Sequence, residues 1–344
     1  MNMITTTAKA SMCLGPSSGG GFVMRQIPRR KPAADEVEVA VAAASVNPID
    51  VHRAQGYGRR LLSLLGASRF PMVLGNDLAG TVTSVGTGVS RFQLGDCVYG
   101  LKPTSAEGTH ASHVLVKANY LLPVPEGQDP LALAALPYCF VTMWLAISGA
   151  GLTRENASGK SVLVHGAAGG LGTLALQMLS EWGAKVTAIA WPSNFDACIG
   201  AGAADVVDCT KKPFASLGRS FDVTLNFATW DDDLLLLGCL RDGALGHATT
   251  VHPMLRNFDE LGWTRAVLST LSDKKRHRST LPKGVKHYAW TLFRPDEAAL
   301  SELRRLVEQN DISLPIGLIR SLEDAAEAFE HVSKGKPGRA LLKP

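Results

Sequence analysis

Short segments in which apolar and polar residues alternate, separated by glycine-rich turns, occupy the first third of the chain. In Glu36–Val41 every second residue is a valine, the pattern of a strand with one buried face. Strand-like runs with glycine at their corners follow at Phe92–Gly100 and Gly108–Val116. Short strands at this spacing predict a compact, β-barrel-like domain.

The middle of the chain has a different pattern, in which apolar strands alternate with helical segments. Ser161–His165 is a short, mostly apolar run with β-branched residues, as in a buried parallel strand. A glycine-rich turn follows it, and Thr173–Leu179 then has the composition of a helix. Lys185–Ala190 predicts a second strand roughly 20 residues after the first, the spacing of a mononucleotide-binding βαβ unit. The pattern therefore predicts an α/β fold with a doubly wound parallel sheet of the Rossmann type.

The glycine-rich turn is the strongest chemical signal in the sequence. Ala167, Gly169 and Gly172 match an A-x-G-x-x-G version of the dinucleotide-binding fingerprint. Gly169 would let the backbone approach a pyrophosphate, Gly172 would let helix and strand pack closely, and the free N–H groups of the helix start would bind the anion. A glycine-rich turn in some other α/β protein is the alternative. The residues predicted to bind the cofactor here are Gly166, Ala168, Gly169, Gly170, Leu171 and Gly172.

Residues at the ends of the strands indicate which cofactor binds. NAD sites place an acidic residue after the second strand, where it binds the ribose hydroxyls and would repel a 2′-phosphate. Here Trp191–Asn194 follows that strand, with no acid before Asp196. The hydroxyl of Ser193 and the amide of Asn194 suit a phosphate, so NADP(H) is predicted. The strand-end rule adds two further cofactor-binding candidates on later strands, Asn226 and Thr249.

Composition limits the class of protein. A chain of 344 residues with 46% hydrophobic and 19% charged residues can bury a large core in two domains and does not resemble a disordered protein. The net charge of +4 is too small to imply nucleic-acid binding, and the basic segment Ser272–His287 is interpreted as a solvated loop. No apolar run is long enough to span a bilayer. Six scattered cysteines and an N-terminus without signal-peptide or transit-peptide features predict a cytoplasmic location.

Four motifs follow one another along the chain: Asn47–Asp50, Leu74–Gly80, Leu94–Val98 and Gly166–Gly172. Their order and spacing resemble the medium-chain dehydrogenase/reductase superfamily, in particular its zinc-free quinone oxidoreductase branch. Three segments are similar to the reticulon-interacting mitochondrial oxidoreductases: Gly56–Gly58, Leu136–Tyr138 and Gly284–Tyr288. The resemblance implies a GroES-like catalytic domain at residues 1–139 and 295–344, interrupted by an NADP-binding Rossmann domain at residues 140–294. It also implies assembly as a homodimer.

The same resemblance bears on metal binding. Zinc-dependent members have a cysteine at the position of Asn47 and a His–Glu pair at the positions of Asn76 and Asp77. A catalytic zinc needs three ligands such as Cys, His or carboxylate groups and an open position. Asn47, Asn76 and Asp77 do not supply that set, so no metal is predicted.

Without zinc, hydrogen-bond donors must stabilise the charge that develops on the acceptor oxygen during hydride transfer. Asn47 is the first catalytic candidate, because its amide could hold a carbonyl oxygen or orient the cofactor; a cap or turn residue before Pro48 is an equal alternative. Tyr57 is the second candidate, since related enoyl reductases have a proton-donating tyrosine one residue further along. The resemblance and the sequence together suggest three residues of the substrate pocket, His52, Tyr138 and Tyr288. A core aromatic is an equal alternative for Tyr138.

Three functions remain open from the sequence. The first is NADPH-dependent reduction of a small-molecule quinone or α,β-unsaturated carbonyl. The second is an enoyl-thioester reductase, and the third is a partner protein that binds NADPH without turning over a substrate. None of the three involves nucleic acid or a membrane span.

Overall fold

A computed structural model of the protein describes residues 7–16, 21–104, 107–211 and 213–344. Its strands, in chain order, are β1 (Thr7–Cys13), β2 (Phe22–Pro28), β3 (Glu36–Val46), β4 (Met72–Val73), β5 (Asp77–Val85), β6 (Cys97–Leu101), β7 (His113–Lys117), β8 (Leu121–Pro123), β9 (Ser161–His165), β10 (Lys185–Ala190), β11 (Asp205–Asp208), β12 (Val223–Asn226), β13 (Gly246–Thr249), β14 (His287–Trp290), β15 (Ile316–Ser321) and β16 (Arg339–Lys343). Its α-helices are α1 (Pro48–Ala54), α2 (Arg59–Leu62), α3 (Pro130–Leu133), α4 (Pro137–Gly149), α5 (Gly170–Glu181), α6 (Phe195–Gly200), α7 (Phe214–Leu217), α8 (Asp233–Gly238), α9 (Met254–Ser279), α10 (Glu297–Glu308) and α11 (Ala325–Ser333). The chain divides into a split unit, Met1–Tyr138 with Pro295–Pro344, and a central unit, Cys139–Arg294.

The split unit is built mainly on antiparallel strands. One sheet has the order β15-β16-β3-β5-β6-β8, and a second has the order β2-β1-β4. β3 pairs antiparallel with β5, β7 and β16, so the C-terminal strand completes a sheet that begins in the first fifty residues. Val37, Val39 and Val41, the valines of the predicted alternating strand, are buried in the core of this unit.

The central unit contains a six-stranded parallel sheet in the order β11-β10-β9-β12-β13-β14. Counted within the unit, this order is 3-2-1-4-5-6, that of doubly wound dinucleotide-binding folds. β9 lies in the middle, where Val162 pairs with Val186 of β10 and with Val223 of β12. The predicted parallel α/β sheet is confirmed, and the ends of β9 and β10 are those that the sequence predicts.

The segment between β13 and β14 differs from its prediction. α9 extends to Ser279 and is broken at Gly262, where φ is 75° and ψ is 178°. The basic segment that was predicted as a solvated loop is therefore helical over its first half, because Ala266 and His277 are buried and hold one face of α9 against the unit. Among the described helices, neither α9 nor any other is long and apolar enough to cross a membrane.

Candidate functional site

The glycine-rich turn of the central unit joins β9 to α5 and requires glycine at two positions. Gly166 directly follows β9 with a φ of 79°, in the left-handed region that favours glycine. A Cβ atom at Gly172 would lie 2.3 Å from the carbonyl oxygen of Gly166 and 2.5 Å from the Cα of Ala167. No side chain fits at those distances, so Gly172 allows the first turn of α5 to pack directly on the chain that leaves β9.

The start of α5 presents backbone N–H groups that suit an anion. Gly169 is the N-cap residue, and its N–H donates to the carbonyl of Gly166 at 3.1 Å. The first helical hydrogen bond runs from the N–H of Thr173 to the carbonyl of Gly169 at 2.8 Å. The N–H groups of residues 170–172 therefore have no carbonyl four residues earlier within the helix. Together with the positive end of the helix and the exposed backbone around Ala168, they fit a pyrophosphate.

Ser193 and Asn194 lie directly beyond β10, in the 3₁₀ turn Pro192–Asn194. Ser193 is exposed and Asn194 is half-buried. The next acidic residue, Asp196, is exposed in the first turn of α6. The turn thus presents neutral polar side chains at the carboxyl end of β10, as the sequence predicts.

Two charged residues near this strand end were missed by the sequence analysis. Asp208 pairs with Ala190, the last residue of β10, across the parallel register of β10 and β11. One oxygen of Asp208 accepts hydrogen bonds from the N–H and the hydroxyl of Thr210, at 2.9 and 2.7 Å. Its other oxygen lies 3.7 Å from Nζ of the exposed Lys211. Lys211, which follows β11, thus supplies a cation near the carboxyl end of β10, where the segment Trp191–Asn194 has none. The sequence after the third strand of the sheet, β11, was the signal that could have identified it.

Asn226 and Thr249 lie at the carboxyl ends of neighbouring strands, where their backbones pair. Both are fully buried. Asn226 donates from Nδ2 to the carbonyl of Thr229 and to the carboxylate of Asp233, each at 2.8 Å. The Thr249 hydroxyl accepts from the N–H of Val251 at 3.4 Å. These two side chains hold the loops that follow β12 and β13.

A buried ionic cluster behind Asn226 was also missed. Asp233 is fully buried, and its two carboxylate oxygens contact His247 Nε2 at 3.0 Å and His277 Nδ1 at 2.9 Å. His247 Nδ1 in turn lies 2.8 Å from the hydroxyl of Thr224. Despite its burial, these hydrogen bonds and the charge of His247 hold the pKa of Asp233 well below its ordinary value. No local pattern could have found the cluster, because its members come from three separate elements.

Tyr288, a predicted pocket residue, is half-buried on β14. Its hydroxyl accepts a hydrogen bond from Trp290 Nε1 at 2.7 Å, and its ring stacks on His247 with centroids 5.8 Å apart. Burial raises the pKa of the Tyr288 phenol above its ordinary value. The phenol is therefore protonated at neutral pH and forms the edge of the ionic cluster.

In the split unit, Asn47 belongs to a buried polar network at the start of α1. It is the N-cap residue of α1, and its Nδ2 lies 3.1 Å from Ser45 Oγ and 3.3 Å from Asp77 Oδ1. Arg339 of β16 donates from Nη2 to Asn47 Oδ1 at 2.5 Å. Ser45, Asn47 and Asp77 are all fully buried. Both ends of the Asn47 carboxamide are thus fixed by neighbouring side chains, in a position that also caps the helix.

Asp77 gives this network a group that titrates near neutral pH. Ser45 Oγ donates to Asp77 Oδ1 at 2.5 Å, and the backbone N–H of Tyr138 lies 3.4 Å from Oδ2. Removal from water raises the pKa of Asp77 to about 7, although the charge of Arg339 and the hydrogen bond from Ser45 act in the opposite direction. The structure therefore brings the predicted residues Asn47 and Tyr138 to the same carboxyl group.

Tyr57 lies in the turn after α1 between two left-handed glycines, Gly56 with φ 88° and Gly58 with φ 75°. Its ring packs edge-on against His52, with centroids 5.5 Å apart. His52 is exposed, and Tyr57 is half-buried beside a small recess that is open to solvent. The turn therefore brings these two predicted residues together.

Two family models match the chain. The model described as "Alcohol dehydrogenase GroES-like domain" matches residues 33–126, and that described as "Zinc-binding dehydrogenase" matches residues 201–337. The first confirms the predicted GroES-like domain. The residues at the expected zinc position do not fit the metal, since Asn47 and Asn76 are amides, and Asn76 Nδ2 donates to the Lys102 carbonyl at 3.2 Å. Across the described ranges, no three His, Cys, Asp or Glu side chains form a group that could hold a metal ion.

Relatives match over most of the chain. Reticulon-4-interacting protein 1, mitochondrial, from Caenorhabditis elegans is 32% identical over 347 residues, covering 95% of this chain and 93% of that protein. NAD(P)H oxidoreductase RTN4IP1, mitochondrial, from Homo sapiens is 33% identical over 320 residues, covering 88% and 79%. The quinone oxidoreductase structure from Coxiella burnetii aligns over 98% of this chain and 100% of that chain with a TM-score of 0.80 and 22% identity. The structure of CurK enoyl reductase aligns over 98% and 99% with a TM-score of 0.79 and 21% identity. At these identities the two structures show the shared fold alone.

The comparison corrects one prediction. The relatives from C. elegans and Homo sapiens are both named as mitochondrial proteins. The predicted cytoplasmic location is therefore wrong, and the relatives point to mitochondria. The prediction rested on missing targeting features, and such an absence does not identify a compartment.

The motifs, the two family models and the order of strands in both units all indicate the same family. The matches to the relatives cover most of the chain. The chain belongs to the medium-chain dehydrogenase/reductase superfamily, in the group of the reticulon-4-interacting NAD(P)H oxidoreductases.

Proposed function

We propose that this protein is an NADPH-dependent, zinc-independent oxidoreductase that transfers a hydride to a quinone or an α,β-unsaturated carbonyl. The observation that carries the proposal is the turn between β9 and α5, where Gly172 packs on Gly166 and the N–H groups of residues 170–172 open the helix. The name of the human relative, an NAD(P)H oxidoreductase, supports the class of reaction. The bound nicotinamide supplies the hydride.

The central unit binds and orients the cofactor in this proposal. The start of α5 binds the pyrophosphate, and Ser193 with Asn194 binds the 2′-phosphate. Asn226 and Thr249 act by holding the loops beyond β12 and β13, because their side chains are already hydrogen-bonded within those loops.

The split unit contributes through the buried network around Asn47. Arg339 and Asp77 fix the Asn47 carboxamide, so Asn47 acts by holding the start of α1, just as Asn226 and Thr249 hold their loops. Quinone reduction needs no dedicated acid, since a reduced quinone takes protons from water. The buried carboxyl of Asp77, with its pKa of about 7, is able to exchange a proton at neutral pH.

The cofactor preference is tested by introducing a carboxylate where NAD-specific sites have one. We expect wild-type protein to bind NADPH at least about tenfold more tightly than NADH. Ser193→Asp should weaken NADPH binding by about tenfold or more, because its charge repels the 2′-phosphate, and should leave NADH binding within about threefold. Isothermal titration calorimetry or quenching of tryptophan fluorescence measures both.

Ser158→Asp is the matched control for this test. Ser158 is also exposed, but it precedes β9 and therefore lies at the amino end of the sheet. It should leave both affinities unchanged. Equal affinity of the wild type for the two cofactors, or equal effects of the two aspartates, would contradict the assignment of NADPH.

Enoyl-thioester reduction is the second candidate function, and the position of Tyr57 in a turn beside a small, solvent-open recess favours it. If Tyr57 donates a proton, Tyr57→Phe should lower kcat with a crotonyl thioester by about 100-fold, the usual contribution of a general acid. Reduction of a quinone should remain unchanged in the same variant. Tyr120→Phe, which alters a half-buried tyrosine elsewhere in the split unit, serves as the control. An unchanged thioester rate in Tyr57→Phe would reject this role.

A protein that binds NADPH without turnover is the third function proposed from the sequence. Turnover of any quinone or enone in a panel with NADPH would exclude it. Assembly as a homodimer also stays a prediction, which light scattering of the purified chain measures directly.

A further inference from the structure

The second half of α9, residues 263–279, exposes apolar side chains that neither the cofactor site nor the ionic cluster uses. Trp263 is 47% exposed, Val267 45%, Leu268 64% and Leu271 61%. Residues three and four apart lie on one side of a helix, so these side chains form a continuous apolar strip, here called the outer strip. Exposed apolar side chains that lie together, unlike single ones, mark a surface where something binds.

Polar contacts on the opposite side of the helix fix this orientation. His277 is buried, and its Nδ1 lies 2.9 Å from Asp233 Oδ2. Asn257 Nδ2 donates to Thr270 Oγ1 at 3.2 Å and to Asp273 Oδ2 at 3.3 Å. Turning the outer strip inward would separate these partners and leave buried polar groups unpaired, which is costly. The apolar side chains therefore point outward because the polar side of α9 is held against the central unit.

Positive charge continues the outer strip towards the C-terminal end of α9. The charged side chains of residues 263–279 are Arg265, Asp273, Lys274, Lys275, Arg276 and Arg278. Lys275 and Arg278 are exposed and lie four and seven residues after Leu271, so they share its side of the helix. Asp273, the one acid of this half, accepts the hydrogen bond from Asn257 on the inner side. Within residues 263–279 the outer side of the helix is thus apolar at one end, basic at the other and without an acid.

The size and charge of this surface indicate which occupant it fits. A stable protein interface buries about 800 Å² and about 20–30 residues on each partner, far more than the few apolar side chains of the outer strip offer. A helix side with Trp and Leu next to Lys and Arg suits the boundary between the acyl chains and the head groups of a bilayer. Because a few apolar side chains bind a bilayer weakly, the cations beside them favour a bilayer with negatively charged lipids.

We propose that the outer strip is a peripheral docking surface for an anionic lipid bilayer. Leu268 and Leu271 enter the acyl region at the bilayer surface, and Trp263 lies at the level of the head groups. Lys275 and Arg278 pair with lipid phosphates, and the second half of α9 lies parallel to the membrane plane. The proposal does not depend on the proposed reaction, because none of these residues belongs to the cofactor site.

Flotation of the full chain with two kinds of vesicle tests the lipid requirement. One kind is phosphatidylcholine alone, and the other contains one-third phosphatidylglycerol. The protein should bind the mixed vesicles at least about tenfold more tightly, because each cation near an anionic surface contributes about fivefold. Added salt should weaken this binding by screening the charges. Equal binding to both vesicles would overturn the proposal, and so would binding to neither, which would leave an acidic protein as the occupant.

Leu268→Ser tests the apolar part of the surface. It should weaken binding to the mixed vesicles by about tenfold, because one apolar side chain no longer leaves water. Leu94→Ser is the matched control, since Leu94 is 66% exposed and lies in the split unit. The control should bind the mixed vesicles as the wild type does. Equal binding by the two variants would overturn the role of the outer strip.

Lys275→Gln combined with Arg278→Gln tests the charged part. Loss of two cations should weaken binding to the mixed vesicles by about 25-fold and change binding to the neutral vesicles by less than about twofold. Lys336→Gln combined with Lys343→Gln removes the same charge from exposed positions in the split unit and is the control. Equal effects of the two double variants would show attraction by net charge alone and would overturn a site on α9.

Two measurements without vesicles complete the test. Circular dichroism of every variant should match the wild type, because substitutions at exposed positions change stability little. Analytical ultracentrifugation of the wild type and of Leu268→Ser should give the same oligomeric state. A dimer that dissociates in Leu268→Ser would identify the outer strip as an interface between copies of the chain and would overturn the proposal.

Discussion

Gly172→Ala should weaken NADPH binding severely and destabilise the protein. The new Cβ would lie 2.3 Å from the carbonyl oxygen of Gly166, where backbone atoms rather than a flexible side chain would have to move. Moving α5 away from β9 should cost about 3 kcal/mol in the free energy of unfolding, at the upper end of the usual range for overpacking. It would also displace the N–H groups of residues 170–172, so NADPH affinity should fall by about 100-fold or more. Urea unfolding followed by circular dichroism and NADPH titration measure the two effects.

Substitutions at two further glycines distinguish an effect on folding from an effect on cofactor binding in this experiment. At Gly238, the last residue of α8, an added Cβ would meet no atom within 4 Å, so Gly238→Ala should retain both stability and affinity. At Gly169 the φ is −76°, and a Cβ would come no closer than 3.4 Å to the Gly166 carbonyl. Gly169→Ala should therefore fold normally but bind NADPH about tenfold more weakly, because its methyl group occupies space that the pyrophosphate needs. Normal NADPH binding by Gly172→Ala would exclude this turn as the cofactor site.

Elements whose apolar residues lie together in one short segment could be predicted from the sequence. Ser161–His165 and Lys185–Ala190 have the predicted ends in the structure, because buried parallel strands are short apolar runs bounded by glycine or polar residues. α9 could not be predicted in this way. Leu268 is 64% exposed and Leu271 is 61% exposed, while His277 is buried, so the apolar positions of this helix do not mark its inner face.

The same distinction applies to the candidate site, where residues at a fixed local spacing could be predicted and contacts between distant segments could not. The turn around Gly169 could be predicted because its chemistry needs particular residues at fixed local spacing. The environment of Asn47 could not, since Arg339, which fixes its carboxamide, is 292 residues away in sequence. Whether Asn47 faces a neighbour or a ligand depends on how β16 pairs with β3, and the sequence around Asn47 contains no information about that pairing.

The ionic cluster around Asp233 leads to the second large effect. Asp233→Asn replaces a buried carboxylate that contacts two histidines and Asn226 with a neutral amide of the same size. The amide places N–H donors where an imidazole N–H or the Asn226 amide now donates, and removing one member of a buried ionic group costs about 3–5 kcal/mol. We therefore expect the free energy of unfolding at pH 7 to fall by at least about 3 kcal/mol. Because Asn226 loses an acceptor, NADPH affinity should fall as well.

The pH dependence gives this prediction its sharpest test. The pKa of Asp233 is held below its ordinary value of 3.8, so the stability that its carboxylate contributes is complete above that value and is lost as the pH falls below it. The difference between wild type and Asp233→Asn should consequently shrink below about pH 4. Asp231→Asn, which changes an exposed carboxylate two residues earlier, should match the wild type at every pH. If Asp233→Asn were as stable as Asp231→Asn in urea at pH 7, the cluster would not hold the loop between β12 and α8, and the position of Asn226 would need another explanation.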